Sequence, residues 1–346
     1  MDMKKILLLL VVLLSVASMR TYAQGCMESS SDEGVTVVGY IQPMYTFKQV
    51  DGGDNISSFN FERARFGFVG NIPYDFNYYV MVETSAFMSD NPFLLDAFIT
   101  YSRFAPWAKI SIGQFKSPFS LELNTTCQSL HTVKRSRVVR ELATPFRDIG
   151  LMISGGNDTS LVQYSLGILN GTGMNVMDNN TKKDIAARLV FHPLKWLRVG
   201  GSFRYGESKS KVVDMDDDKK TRYAGEIEVK YKKVLVQGEY IFGKDDGSYT
   251  TGGGCGDPLV THIGSVERNG YWVAAMYMTP WNLQPVIKYE SYDPNIDVDK
   301  NMEGTLTFGL NVFPNDWTRL QVNYLYSAEE TEIENDMFFL QLQVKF

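Results

Sequence analysis

The sequence predicts an all-β fold, a transmembrane antiparallel β-barrel of sixteen strands. Three features predict it. Segments of about ten residues alternate apolar and polar side chains, as strands do when their two faces meet different surroundings. Tight turns alternate with longer polar connections along the chain, and a secretory signal peptide precedes the first strand. Together these features are typical of barrels with short periplasmic turns and long extracellular loops.

Residues 1–23 form the predicted signal peptide. Lysines precede an apolar run over 6–17, and Thr21 and Ala23 supply small side chains at the −3 and −1 positions of a cleavage site. The remaining residues, 24–346, are expected to form a single barrel domain. Removing the signal peptide takes away three basic residues and one acidic residue, so the formal net charge changes from −6 to −8. Because the exported chain is acidic, no nucleic-acid partner is predicted.

The alternation is clearest in the last nine residues, FFLQLQVKF. Leu340, Leu342 and Val344 share one face of this segment, while Gln341 and Gln343 share the other. A period of two predicts a strand with one apolar and one polar face. A soluble β-sandwich has the same pattern, so the alternation alone does not distinguish the two folds.

The order of short and long connections favours the barrel. Every second connection is a tight turn, and the intervening ones are mostly longer and polar, including 120–146, 207–221 and 244–267. Closing the sheet removes the unpaired edges that lipid does not tolerate. The sixteen predicted strands cover residues 35–48, 59–70, 76–87, 94–104, 107–119, 147–155, 160–170, 183–192, 197–206, 222–232, 234–243, 268–278, 283–293, 304–313, 317–327 and 337–346.

Four tight turns contain a proline followed within three residues by a tryptophan. Tryptophan is common where a membrane meets water, so these residues are expected to form an aromatic belt. The alternative is that the tryptophans cap ordinary turns as core residues. The four pairs are Pro106 with Trp107, Pro193 with Trp196, Pro280 with Trp281, and Pro314 with Trp317.

The polar face of each strand is then expected to look into a lumen, and sixteen strands are enough to enclose an aqueous channel. Strand parity places slightly more basic than acidic side chains inside. Positive charge in a narrow lumen attracts anions. The wall residues predicted to line the pore and contact anions are Arg63, Arg65, Lys116, Arg188, Arg204, Arg222 and Lys288.

A second group of cations lies in the connection 120–146. Its segment HTVKRSRVVR, residues 131–140, contains four basic residues and no acidic one. If the connection folds into the lumen, these cations join the wall in a positive constriction, and a helical conformation would place three of them on one face. The alternative is a solvated outer loop with no role in transport. The four residues are Lys134, Arg135, Arg137 and Arg140.

Several stretches resemble the phosphate-selective porins O and P of Gram-negative outer membranes. They are FERARFGFVG at 61–70, GQFKSPFSLE at 113–122, RDIGLMISG at 147–155, and YSLGILNGTGMN followed by DNNTKKDIAARLVFHP up to residue 193. These stretches keep the order and spacing of the family over 61–193, whereas the C-terminal half matches only in strand rhythm.

The resemblance implies a homotrimer of sixteen-stranded channels, with inward arginines guiding anions and the third outer loop narrowing the pore. Arg63, Arg65 and Lys116 fall within matching stretches, so the resemblance implies a pore role for them. Two residues depart from the family pattern. Glu62 stands where these proteins often have a second consecutive arginine, and Lys134 replaces a usual glutamate. The first departure is expected to weaken phosphate binding, and the second to make the constriction more basic.

The predicted function is passive uptake of phosphate or other small anions through an anion-preferring porin in the lipid of the outer membrane. Two alternatives share the fold: a general diffusion porin with little selectivity, and a surface-binding barrel with a closed lumen. The three histidines show no zinc-ligand spacing and no nucleophile elbow is present, so no enzyme, catalytic residue, metal or cofactor is predicted. The sequence leaves open whether Cys127 pairs with Cys255.

Overall fold

The computed structural model describes residues 34–85, 91–210, 212, 215–251, 260–328 and 334–346. The predicted signal peptide and Cys255 lie outside these residues. The strands, in chain order, are β1 (Gly34–Lys48), β2 (Ile56–Ile72), β3 (Phe76–Glu83), β4 (Phe93–Tyr101), β5 (Lys109–Lys116), β6 (Arg147–Gly155), β7 (Val162–Leu169), β8 (Asp184–Leu194), β9 (Leu197–Ser208), β10 (Asp218–Tyr231), β11 (Val234–Thr251), β12 (Val260–Tyr277), β13 (Leu283–Asp293), β14 (Glu303–Val312), β15 (Thr318–Ala328) and β16 (Met337–Lys345).

The sixteen strands of the described residues join one closed antiparallel barrel. Each strand pairs with its neighbours along the chain, and β1 closes the ring against β16. At that seam Gly39 and Phe346 exchange two backbone hydrogen bonds of 2.9 Å each. The predicted fold class and strand number are confirmed.

Side chains alternate between an apolar outer face and a polar lumen. In β2, for example, Phe66 and Phe68 are 42% and 41% exposed on the outside, whereas Arg65 is 6% exposed on the inside. Exposed apolar side chains are stable on the outer face because acyl chains surround it. Trp107 and Trp281 lie at short turns on the barrel rim and are 81% and 78% exposed. The interpretation of the turn tryptophans as core residues is therefore wrong.

The prediction of a long connection over 244–267 is wrong, because strand pairing continues through most of these residues. β11 and β12 contain eighteen residues each, and Thr250 pairs with Thr261, seven residues beyond each predicted strand end. About 9–11 residues are enough to cross a membrane, so both strands extend beyond it. Polar residues occupy successive positions there, as in KDDGSYTT at 244–251, so the hydrophobic alternation that marks a strand in the sequence is lost.

The barrel wall differs in height around its circumference. Strands β3 to β7, here called the low wall, contain eight or nine residues each. Strands β9 to β12, the high wall, contain between twelve and eighteen. The strands of the low wall are at or just below the roughly 9–11 residues that a tilted strand needs to cross the hydrocarbon layer.

The connection between β5 and β6 enters the barrel. This segment, residues 117–146, is called the inner loop below, and it contains α1 (Leu121–Asn124), a 3₁₀ turn (Cys127–Ser129) and α2 (Arg137–Leu142). Among the described residues, no helix has the length and apolar character needed to cross a membrane.

Candidate functional site

The helix α2 holds the inner loop against the lumen side of the high wall. Val138, Val139 and Leu142 are fully buried in a cluster that includes Ile241 of β11 and Trp272 of β12. The spacing of the three helix residues places them on one face, which packs on the wall. The alternative of a solvated outer loop is therefore wrong.

The helix begins at Arg137, one residue after its N-cap, so it does not include Lys134. The basic side chains of this helix do not make their contacts on one common face. Arg137 is 2.7 Å from Glu303 and 3.6 Å from Glu141, whereas Arg140 is exposed. The expected row of three cations on one helical face does not form.

The first turn of the inner loop is fixed by Glu239 of β11. This carboxylate accepts hydrogen bonds from the Leu121 backbone at 2.9 Å, from the Ser120 hydroxyl at 3.0 Å and from the Trp272 indole at 3.1 Å. Hydrogen bonds to a buried carboxylate are stronger than those between neutral groups. Glu239 is therefore the main anchor of the loop entrance.

Three of the predicted pore-lining cations lie against the inner loop. Arg204 Nη1 donates to the carbonyl of Pro145 at 3.1 Å, and Arg222 Nε donates to the carbonyl of Leu142 at 3.1 Å. Lys288 lies 2.8 Å from Glu122. Their side chains are nearly inaccessible, so the structure places them as supports of the loop. The acidic partners are Asp184 for Arg204, Asp245 for Arg222, and Glu122 with Glu290 for Lys288.

Polar side chains of β14 and β15 hold the middle of the loop. Asn311 donates to the carbonyl of His131 at 2.9 Å, and Asn323 accepts from the Val133 backbone at 2.7 Å. Arg319 donates to the carbonyl of Leu130 at 2.8 Å. Burial lowers the pKa of His131 to about 4, so its imidazole is neutral at physiological pH.

A cluster of cations surrounds the thiol of Cys127. The guanidinium groups of Arg65 on β2 and Arg135 in the inner loop lie 3.1 Å and 3.4 Å from its Sγ. Among the described residues, Cys127 is a free thiol. Burial alone raises the pKa of the thiol, but the positive charges of Arg135, Arg63, Arg65 and Lys116 lower it well below its usual value.

This cluster borders a cavity of about 60 Å³ between the inner loop and the wall. Lys116 lines the cavity, and its ammonium donates to the carbonyl of Thr125 at 3.1 Å. Arg135 donates to the same carbonyl at 3.0 Å. A space of this size holds a few water molecules. Arg65 and Lys116 of the wall and Arg135 of the loop therefore come together beside this cavity.

Arg147 lines the same cavity but was not among the predicted pore residues. It forms two hydrogen bonds with Asp96, at 2.9 Å and 3.0 Å. The alternation of side chains along β6 predicts that Arg147 points outward, as Ile149 does. Pairing of β4 with β5 ends at Ala97 and Gln114, however, and the separation of the two strands beyond this point lets Arg147 reach inward.

The remaining predicted cations have carboxylate partners. Arg63 lies 3.1 Å from Glu62, and the same glutamate accepts from Lys134 of the inner loop. Arg188 lies farther from the loop, where Glu226 accepts from it at 2.5 Å and 2.9 Å. The cations therefore lie inside the barrel as part of a network of ion pairs.

A family model, described as phosphate-selective porin O and P, matches residues 35–209, just over half of the chain. The chain belongs to this family. The predictions of an outer-membrane porin and of an anion-preferring channel are thereby confirmed. Membership of this family implies a channel rather than an enzyme. A search of the curated proteins gave no match to the sequence.

Solved porin structures share the fold of this porin at low sequence identity. An anion-selective porin from Comamonas acidovorans aligns with a TM-score of 0.68 at 12% identity, over 91% of this chain and all of that one. The outer-membrane channel DcaP of Acinetobacter baumannii gives 0.67 at 12% identity over 92% and 99% of the two chains. A trimer form of OmpT from Vibrio cholerae gives 0.62 at 13% identity over 91% and 100%.

The two departures from the family pattern contact one another. Glu62, in place of a frequent arginine, accepts a hydrogen bond from Lys134, in place of a usual glutamate. The two side chains carry charges opposite to those of the family pattern, and they form an ion pair. The extra positive charge expected from Lys134 is consequently offset by Glu62.

Proposed function

We propose that this porin takes up phosphate or other small anions passively, and that anions cross the barrel beside the inner loop. The observation that carries the proposal is the meeting of loop and wall cations at one cavity. Arg65 of the wall and Arg135 of the loop lie 3.1 Å and 3.4 Å from Cys127 Sγ, and Lys116 and Arg135 both donate to the carbonyl of Thr125. Arg65, Lys116 and Arg147 line the cavity beside these atoms.

Two physical properties support anion passage at this point. Arginine presents a planar fork of N–H donors that matches oxyanions, and a low-dielectric wall strengthens each charge relative to bulk water. Conduction also requires that each contact releases the ion. Acidic partners such as Asp96 reduce the attraction of the cations, which favours release over retention.

The proposal is tested by reversal potentials of single channels in planar bilayers under a salt gradient. We expect Lys116→Gln and Arg135→Gln to reduce the permeability ratio of anion to cation by about twofold or more each. Arg103→Gln is the matched control, because Arg103 lies on a short turn, 65% exposed, and pairs only with Asp75 among the described residues.

The alternatives predict different results. A general diffusion porin keeps its ion preference when Arg63, Arg65 and Lys116 are neutralised. A surface-binding barrel with a closed lumen shows no conductance. Unchanged reversal potentials in both Lys116→Gln and Arg135→Gln would contradict the proposed path beside the inner loop.

We propose further that the porin is a homotrimer in the lipid of the outer membrane, with the low walls of the three copies in contact. Strands of eight or nine residues leave little height to match the hydrocarbon layer, and contact with a second protein surface removes that mismatch. The trimer form of the similar OmpT structure supports three copies. The high wall then faces lipid.

A further inference from the structure

A β-bulge in β2 places two consecutive side chains inside the barrel. The pairing of β1 with β2 shifts by one residue, so that Gln42 pairs with Arg63 and Pro43 pairs with Phe61, which leaves Glu62 as the extra residue. Phe61 is 40% exposed on the outer face, whereas Glu62 and Arg63 are each 7% exposed. A bulge redirects side chains in this way, and bulges are frequent next to functional sites.

The Glu62 carboxylate connects the wall with the inner loop. Its Oε1 atom lies 3.1 Å from Arg63 Nη2, and its Oε2 atom accepts a hydrogen bond from Lys134 Nζ. Lys134 also lies over the ring of Phe339, with its ammonium 5.7 Å from the ring centre. One acid is thus shared by one cation of the wall and one cation of the loop.

We propose that Glu62 is a specificity-determining residue of the channel, whose carboxylate is a resident anion that a permeating anion must displace from Arg63 and Lys134. This inference rests on the proposed path beside the inner loop. An anion that approaches the two cations finds them already neutralised in part, so it binds weakly and leaves quickly. Weak binding of this kind permits conduction, whereas two unpartnered cations would retain a phosphate.

The exposure of the pair supports exchange with a permeating anion. The side chain of Lys134 is 37% exposed, so solvent reaches one side of the contact with Glu62. The pairs of Arg147 with Asp96 and of Arg204 with Asp184 are different, because every side chain in them is less than a tenth exposed. Those pairs hold the wall, while the pair of Glu62 and Lys134 is open to competition from the side of Lys134, since the side chains of Glu62 and Arg63 are only 9% and 8% exposed.

The decisive variant is Glu62→Gln, which keeps the shape of the side chain and removes its charge. We expect the anion-to-cation permeability ratio to rise. We also expect the concentration of inorganic phosphate that halves the chloride current to fall by roughly fivefold, which is the effect of one unit charge ~4 Å away when water screens the interaction. Both quantities are measured on single channels in planar bilayers, beside the wild-type protein.

The matched control is Glu228→Gln, which removes an inward acid that does not contact the inner loop. Glu228 pairs with Arg198 at 3.3 Å and accepts from Gln237 at 2.7 Å. If Glu228→Gln changes phosphate block as much as Glu62→Gln does, only the total charge of the lumen matters, and the proposal is overturned. We expect Glu228→Gln to leave phosphate block within about twofold of the wild type.

A charge swap tests the pair itself. Lys134→Glu alone places two carboxylates together, and we expect it to lose anion preference. Combining it with Glu62→Lys restores the ion pair in reverse, and phosphate block is expected to return close to the wild-type value. If the wild type prefers anions but Glu62→Gln leaves ion preference and phosphate block unchanged, only the role of Glu62 is overturned. If the wild type has no anion preference, the proposed function is overturned as well.

Discussion

Arg65 shows how one side chain contributes both to the barrel wall and to the lumen. Its Nε atom lies 2.7 Å from Glu83 of the neighbouring strand, while its Nη1 atom lies 2.7 Å from the hydroxyl of Tyr40 and 3.1 Å from Cys127 Sγ. A guanidinium group has five N–H donors, so it can hold the wall and still present positive charge to the cavity.

The lowered pKa of Cys127 leads to a prediction at this scale. An ordinary thiol has a pKa near 8.5, so its alkylation rate falls about tenfold for each pH unit below that value. In the folded porin we expect the rate of Cys127 alkylation by iodoacetamide to fall much less steeply than this between pH 8 and pH 6, because the nearby cations favour the thiolate. Mass spectrometry of the modified peptide measures the rate.

The background for this measurement carries Cys26→Ser and Cys255→Ser, so that one thiol remains. The same protein unfolded in detergent and urea is the control, because unfolding separates Cys127 from Arg65 and Arg135. A fall near a hundredfold in the folded protein, equal to that in the unfolded control, would show that the thiol is ordinary.

At the scale of single elements, the inner loop is the feature that most depends on contacts distant in the sequence. Its helix α2 has six residues, too few to be stable without packing. The loop is instead held from several sides, by Glu239 at its start, by amides such as Asn311 at its middle, and by Arg204 at its end. Removing one of these anchors should loosen the nearby segment without opening the barrel.

Glu239→Gln is expected to loosen the start of the inner loop. Glutamine has one acceptor oxygen where the carboxylate has two, so donors among Ser120, Leu121 and Trp272 lose their partner at a cost of about 1–3 kcal/mol. We expect larger current fluctuations in single channels and faster cleavage of the loop by added protease. Resistance of the barrel to heat in detergent should be nearly unchanged.

Glu267→Gln is the matched control for this prediction, because Glu267 pairs with Lys244 on the extended part of the high wall, 3.2 Å away and partly exposed. Equal current noise in Glu239→Gln and Glu267→Gln would contradict the anchoring role of Glu239.

The strands were predictable because a period of two is local in the sequence, and the observed β13 has the predicted bounds. The network of contacts in the lumen was not predictable in the same way. Glu62 and Lys134 are far apart in the chain, and only the fold of the inner loop brings them together. Arg147 was missed because parity alone points it outward, and the separation of β4 from β5 has no signature in the local pattern.

At the scale of the whole molecule, the barrel is asymmetric in both height and filling. The inner loop packs by α2 on the lumen side of β11 and β12 of the high wall and of the adjacent strand β13. The cavity with its cations lies on the other side, lined by strands from β1 to β6. In the proposed trimer the low wall faces neighbouring copies, so the cavity lies toward the centre of the assembly.

The proposed trimer contact is tested by one arginine on each wall. Ile112 of β5 is 62% exposed on the low wall, and Ile227 of β10 is 46% exposed on the high wall. We expect Ile112→Arg to separate the trimer into monomers in mild detergent, because the symmetric assembly would bury three unpaired charges between copies. Ile227→Arg should keep the trimer, since it faces lipid and affects insertion by about 2–4 kcal/mol at most. Mass photometry counts the copies, and separation by Ile227→Arg but not by Ile112→Arg would move the contact to the high wall.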